Sequence, residues 1–166
     1  MGSTQEQYQV RSAARRKALQ ILFQSEITGM DYTRILSEGF CIDEVGVPCE
    51  YTLLLLEGVQ TNREEINGLI SRISENWSLE RMPFVDRSIL RLATFEILYM
   101  DEVPYSVSIN EAVELAKCFG GEDESSRFVN GVLGRIVNIR SEELESSMKG
   151  TGSKAQSRRE KKGAHG

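Results

Sequence analysis

The chain has 166 residues, 40% of them hydrophobic, and a formal net charge of −5, which suits one domain or two small helical subdomains on a shared core. No stretch approaches the roughly 18 to 20 apolar residues of a membrane span, and the polar N-terminus lacks the apolar centre of a secretory signal, so a cytoplasmic protein with no membrane partner is expected. Cys41, Cys49 and Cys118 form neither a C-x-x-C pair nor an even set, and the only histidine, His165, sits in a polar C-terminal segment; this excludes a disulfide framework, a His-based metal site and a His general base, and leaves buried, reduced thiols as the expectation.

In chain order, the spacing of Ala14, Ala18, Ile21, Leu22 and Ser25 predicts a helix over Gln5 to Thr28, stopped by Gly29. A shorter helix follows Asp31, and periodicity breaks from Gly39 to Pro48. Leu53, Leu56 and Val59, then Ile66, Leu69, Ile70 and Ile73, predict one long helix or two end to end from Cys49 to about Trp77, with Gly58 and Gly68 as candidate bends. Pro83 suits a first helical position, and Phe84 to Met100 is apolar nearly all round, as in a helix covered on several sides. Val103-Pro104 ends it.

Ser108 with Glu111 fits a capping box for a helix Ile109 to Phe119, stopped at Gly120-Gly121. Ser125 or Ser126 opens a last helix carrying Val129, Val132, Leu133 and Ile136. Its Gly131 and Gly134 leave one side smooth, as if for another helix packing close. No alternating strand pattern appears, so the fold class is all-α. From about Ser146 the chain is too poor in apolar residues to order itself, and the expected division is a helical domain 1–148 followed by a basic tail 149–166.

The net charge conceals an asymmetry. Lys149 to Gly166 holds six basic residues against one acidic, while Arg11, Arg15, Arg16 and Lys17 form a basic island with no acid among residues 11–17. Arg11 and Arg15 are i,i+4 neighbours on the face that continues into Ala18 and Leu22, so the first turns are expected to present guanidinium groups outside the core. Such an island suits phosphate contacts without any catalytic group, although charge alone does not separate RNA from DNA or from an acidic protein.

Other candidates carry less. Glu96 lies on the Val85, Ile89, Leu92 stripe of the most apolar helix, so its carboxylate must be paired or open onto a partner. Arg87 and Arg91, also i,i+4, make a second, smaller basic face that reads as solvated. Phe128 beside Arg127 suits either base stacking or core packing. Glu122, Asp123 and Glu124 fit a helix N-terminus better than a metal site. Asn76-Trp77-Ser78 matches a glycosylation sequon but lacks a secretory context.

Four blocks carry a family resemblance: R-S-A-A-R-R-K-A-L-Q-I-L-F-Q from Arg11, V-D-R-S-I-L-R-L-A-T-F-E-I-L from Val85, V-P-Y-S-V-S-I-N-E-A-V-E-L-A-K from Val103 and R-F-V-N-G-V-L-G-R-I from Arg127. Over about residues 8 to 140 the chain resembles the NusB transcription antitermination factors. The resemblance implies about seven helices in two packed three-helix bundles. It also implies binding to the boxA element of ribosomal RNA leaders together with the ribosomal protein NusE, through which the pair modifies elongating RNA polymerase. It places Arg11, Arg15, Arg16 and Lys17 in an arginine-rich RNA-binding stretch, Lys117, Phe119, Arg127, Phe128 and Asn130 in a second RNA-facing region, and Asp86, at the start of its helix and expected to be exposed, on the face toward the partner protein.

No catalytic residue, metal or cofactor is expected, and self-association into a homodimer stays open. The same module is similar to the N-terminal domain of ribosomal RNA cytosine methyltransferases, here without the α/β portion that would bind a methyl donor. An adaptor that contacts only proteins is the third alternative.

Overall fold

The computed structural model describes residues 2–38, 48–74, 77–121 and 123–160, with side chains described through residue 150. Cys41, Asn76, Glu122, His165 and the segment 39–47 of the expected periodicity break lie outside the described residues. The elements are seven α-helices: α1 (Thr4–Thr28), α2 (Tyr32–Ser37), α3 (Glu50–Thr61), α4 (Arg63–Ile73), α5 (Phe84–Tyr99), α6 (Tyr105–Phe119) and α7 (Asp123–Glu160), with a 3-10 turn at Leu79–Arg81 between α4 and α5.

Local chemistry sets most boundaries. Ser3 and Glu6 form a reciprocal capping box at the start of α1, and Gly29 closes it in the left-handed region at φ 71°. The Asp31 carboxylate caps α2 by accepting from the Thr33 N–H at 2.8 Å. The long 49–77 segment is two helices, broken at Asn62 rather than at either glycine. The Asn62 side-chain amide donates to the Gly58 carbonyl at 2.8 Å, so this residue stabilises the break itself. Gly58 has a packing role instead, because a Cβ there would lie 2.2 Å from the Phe95 ring.

The expected Ser108 cap is not where α6 begins. Pro104 supplies the N-cap, its carbonyl accepts from the N–H groups of Val107 and Ser108, and Ser108 and Glu111 point into the protein instead. Gly120 does end α6, with its N–H donating to the Ala116 carbonyl at 2.9 Å.

Helix α5 is the axis of the molecule. Residues 88–98 are buried without interruption, because α5 contacts α1, α3, α4, α6 and α7. Helices α1, α2 and α3 cluster on one side of it, and α4, α6 and α7 on the other, giving two three-helix groups around one continuous core. Ile89 and Leu90 are fully buried there, each contributing about 1.5–3 kcal/mol by removal from water.

Two expectations fail on exposure. Gly131 and Gly134 have open space where a Cβ would stand, so no helix packs on that side of α7 among the described residues. Cys49 and Cys118 are exposed free thiols, because they occupy the N-cap of α3 and the penultimate position of α6 rather than a core stripe. Beyond Arg140, α7 runs past the core, with residues 142–150 exposed. Residues 142–150 thus lack packed apolar surface, while the α7 backbone stays helical through Glu160, an element whose hydrogen bonds are internal and need no packing partner.

Candidate nucleic-acid interface

The basic island of α1 divides into two environments. Arg15 is 3% exposed and turns inward. Its Nε and Nη2 donate to the two carboxylate oxygens of Glu96 at 2.6 and 2.8 Å, a bidentate pair. Its Nη1 lies 3.7 Å from Glu111, which also accepts from Ser12 Oγ at 2.9 Å. Glu96 further accepts from the Tyr51 hydroxyl at 3.0 Å and Ser108 Oγ at 3.4 Å. Burial disfavours a charged Arg15, yet hydrogen bonding and attraction to Glu96 hold its pKa above the ordinary value. Burial, followed by the charge of Glu96, pushes the Tyr51 phenol upward as well. Arg15 is therefore corrected from a presented phosphate contact to a buried structural cation.

Its neighbours stay outside. Arg16 is exposed, and its guanidinium stands 5.9 Å above the Phe119 ring at the end of α6. Arg11 is partly exposed, lies 4.7 Å over the Tyr51 ring and reaches Glu102 at 4.0 Å. Lys17 is half-buried, and Lys117 is exposed beside Glu114 at 3.2 Å. Packing of α1 on α5 and of α6 on α5 thus brings Arg16 and Phe119, distant in sequence, into one surface. That surface offers a cation over a 40% exposed aromatic ring, a pairing suited to phosphate and base together.

The residues expected from α7 are placed separately. Arg127 and Asn130 are exposed. Phe128 is half-buried, packs on the core and meets Trp77 with ring centroids 5.6 Å apart. Trp77, 47% exposed, drew attention in the sequence only as the middle of a sequon, although the single tryptophan of the chain in a polar segment was a signal for a site.

Asp86 does not stay exposed. It is 5% exposed, with one carboxylate oxygen accepting from Ser125 Oγ at 3.2 Å and the other buried without a partner among the described residues. Burial pushes its pKa up, against the lowering effect of the Ser125 hydrogen bond. The first turn of α7 covers the carboxylate, and sequence spacing along α5 cannot reveal that.

Arg87 and Arg91 are not a solvated face either. Both guanidiniums bind the Glu26 carboxylate of α1, Arg91 Nε donates to Asn67 at 2.9 Å, and Arg63 approaches Glu26 at 3.4 Å. Burial alone would raise the Glu26 pKa, but Arg91 and Arg87 together hold it below the usual carboxylate range. No helix among the described residues is long and apolar enough to cross a membrane, and no cluster of potential metal ligands occurs among them.

Comparison with known proteins agrees with this architecture. The model of the NusB family matches residues 12–138. The transcription antitermination protein NusB of Pelotomaculum thermopropionicum is 46% identical over 146 residues, covering 86% of this chain and 99% of that protein. The protein of the same name from Bacillus mycoides is 46% identical over 126 residues, covering 76% and 95%. Among solved structures, T. maritima NusB superposes with a TM-score of 0.69 at 40% identity, covering 77% of this chain and 90% of that one. A crystal structure of the antitermination factors NusB and NusE in complex with dsRNA shares the fold at a TM-score of 0.66 and 24% identity, covering 79% and 98%. With the family model spanning most of its length and relatives of this identity aligned nearly end to end, the chain belongs to the NusB family.

Proposed function

We propose that this chain is a transcription antitermination factor that binds boxA-like RNA of ribosomal RNA leaders together with the ribosomal protein NusE, and so acts on elongating RNA polymerase. The observation that carries the RNA part is the exposed Arg16 guanidinium over the Phe119 ring. A solved complex of NusB and NusE with dsRNA, sharing this fold, supports the partner. Single strands are the preferred ligand, because an exposed ring can stack only on a base that is free of its own stack.

Charge supports dependence on the partner. Residues 18–148 carry a formal −13 beside the +4 of residues 11–17, so the chain neutralises little phosphate alone, and a basic partner completes the site. The test is a titration of labelled leader RNA, single-stranded and duplexed, with and without NusE. Tight binding of the single strand only with NusE present is expected. Equal affinity for the matched duplex refutes the strand preference, and a NusE-independent affinity refutes the cooperation.

A further inference from the structure

A second aromatic site lies on the α4, α6, α7 side of the molecule. Between the end of α4 and the first turns of α7 there is a cavity of about 330 Å³. Trp77 and Phe128 form its apolar wall, Arg127 and Arg135 its rim, Gly131 its open floor, and Ser74 its depth. The Ser74 hydroxyl is buried and, among the described residues, has no hydrogen-bond partner. Arg135 donates through Nη1 to the Ile73 carbonyl at 3.2 Å, and its other donors have no partner among the described residues. No acidic side chain lines the cavity among the described residues.

Each feature selects for the ligand. Two cations, with no acid beside them among the described residues, call for an anion. An exposed indole calls for a flat ring, and an orphaned hydroxyl in the depth calls for a hydrogen-bonding edge. A nucleotide supplies all three. The Trp77 and Phe128 rings, 5.6 Å apart and tilted by 50°, are too close to sandwich a base, which needs about 7 Å for van der Waals contact on both faces. The open face of Trp77 is therefore the platform, and Phe128 braces it from behind.

We propose that Trp77 is a stacking platform for one unstacked base of the bound RNA, with Ser74 meeting the base edge and Arg127 and Arg135 the neighbouring phosphates. This rests on the RNA-binding reading above and adds to it a nucleobase site separate from Arg16 and Phe119.

The single tryptophan makes the test direct. RNA binding to the full chain, with NusE if needed, is followed simultaneously by anisotropy of a labelled single strand and by Trp77 emission. Emission should be quenched along the same isotherm as anisotropy, whereas inorganic polyphosphate, which has charge but no base, should leave it unquenched. Trp77→Ala should weaken RNA binding by about five- to a hundredfold, the range for one stacked base, with an unchanged salt slope, and Trp77→Phe should restore most of the loss. Quenching by polyphosphate equal to that by RNA overturns the base site. RNA binding without quenching, together with wild-type affinity in Trp77→Ala, overturns the base site and leaves the RNA assignment standing. Failure of RNA to bind the wild-type chain with or without NusE overturns both.

Discussion

Arg15 and Arg16 are consecutive on α1, yet they do opposite work. Arg15 is closed into a network with Glu96, Glu111 and Tyr51 between α1, α3, α5 and α6, and it holds the two halves of the protein to the central helix. Arg16, one hundred degrees round the helix by the ordinary helical repeat, stands in solvent over Phe119. A run of cations in a sequence is therefore not a run of cations on a surface. What decides is whether an acid waits on the opposing stripe, as Glu96 does for Arg15 and as no acid does for Arg16 among the described residues.

Separating the two residues by mutation gives the largest expected effect. Arg15→Ala leaves Glu96 buried without its cation and should destabilise the fold by about 3–5 kcal/mol, read as a fall in the urea midpoint. Arg16→Ala should change stability by no more than about 0.5 kcal/mol. Equal effects would erase the distinction. Gly58→Ala is next: a methyl group driven into the Phe95 ring should cost about 1–3 kcal/mol, and no loss would mean that α3 and α5 stand farther apart.

Two acids refine the comparison through pH. Glu26, held down by Arg87 and Arg91, contributes stability that is present above its unfolded pKa of about 4.3 and is lost as pH falls through its lower folded value. Glu26→Gln should accordingly lose stability at neutral pH, with a deficit that narrows as the medium is acidified below about pH 4. Asp86 has the opposite sign. Its folded pKa is raised, so the ionised form opposes folding once pH passes the unfolded value. Asp86→Asn should raise the melting temperature slightly at neutral pH and lose that advantage in acid. This is the smallest of the effects, and a drop in melting temperature at neutral pH would mean that the carboxylate has a cationic partner.

Much of this was legible in the residues. The termini of α1, the Asp31 cap and the all-round apolar character of α5 follow from patterns within a few turns of chain. Glu96 on an apolar stripe had to be paired or open onto a partner, but the register of Arg15 with Ala18 and Leu22 suggested a guanidinium outside the core, and only the packing of α1 on α5 makes the two partners. What remained hidden depends on contacts between distant elements. The burial of Asp86 comes from Ser125 on α7, the pairing of Arg87 and Arg91 from Glu26 on α1, and the meeting of Arg16 with Phe119 from the packing of two helices on α5. The open space at Gly131 and Gly134 is of the same kind, since a smooth helix face looks alike whether covered or bare.

The division of labour on α1 is tested most directly by the salt dependence of RNA binding. Affinity for a single-stranded ribosomal-leader RNA is measured over a salt series, in the presence of NusE, for the wild-type chain and for Arg16→Ala. Loss of one phosphate contact should weaken binding and flatten the slope of log affinity against log salt by about 0.7, with stability unchanged. A variant with the wild-type slope and affinity would contradict the assignment of Arg16 to the RNA.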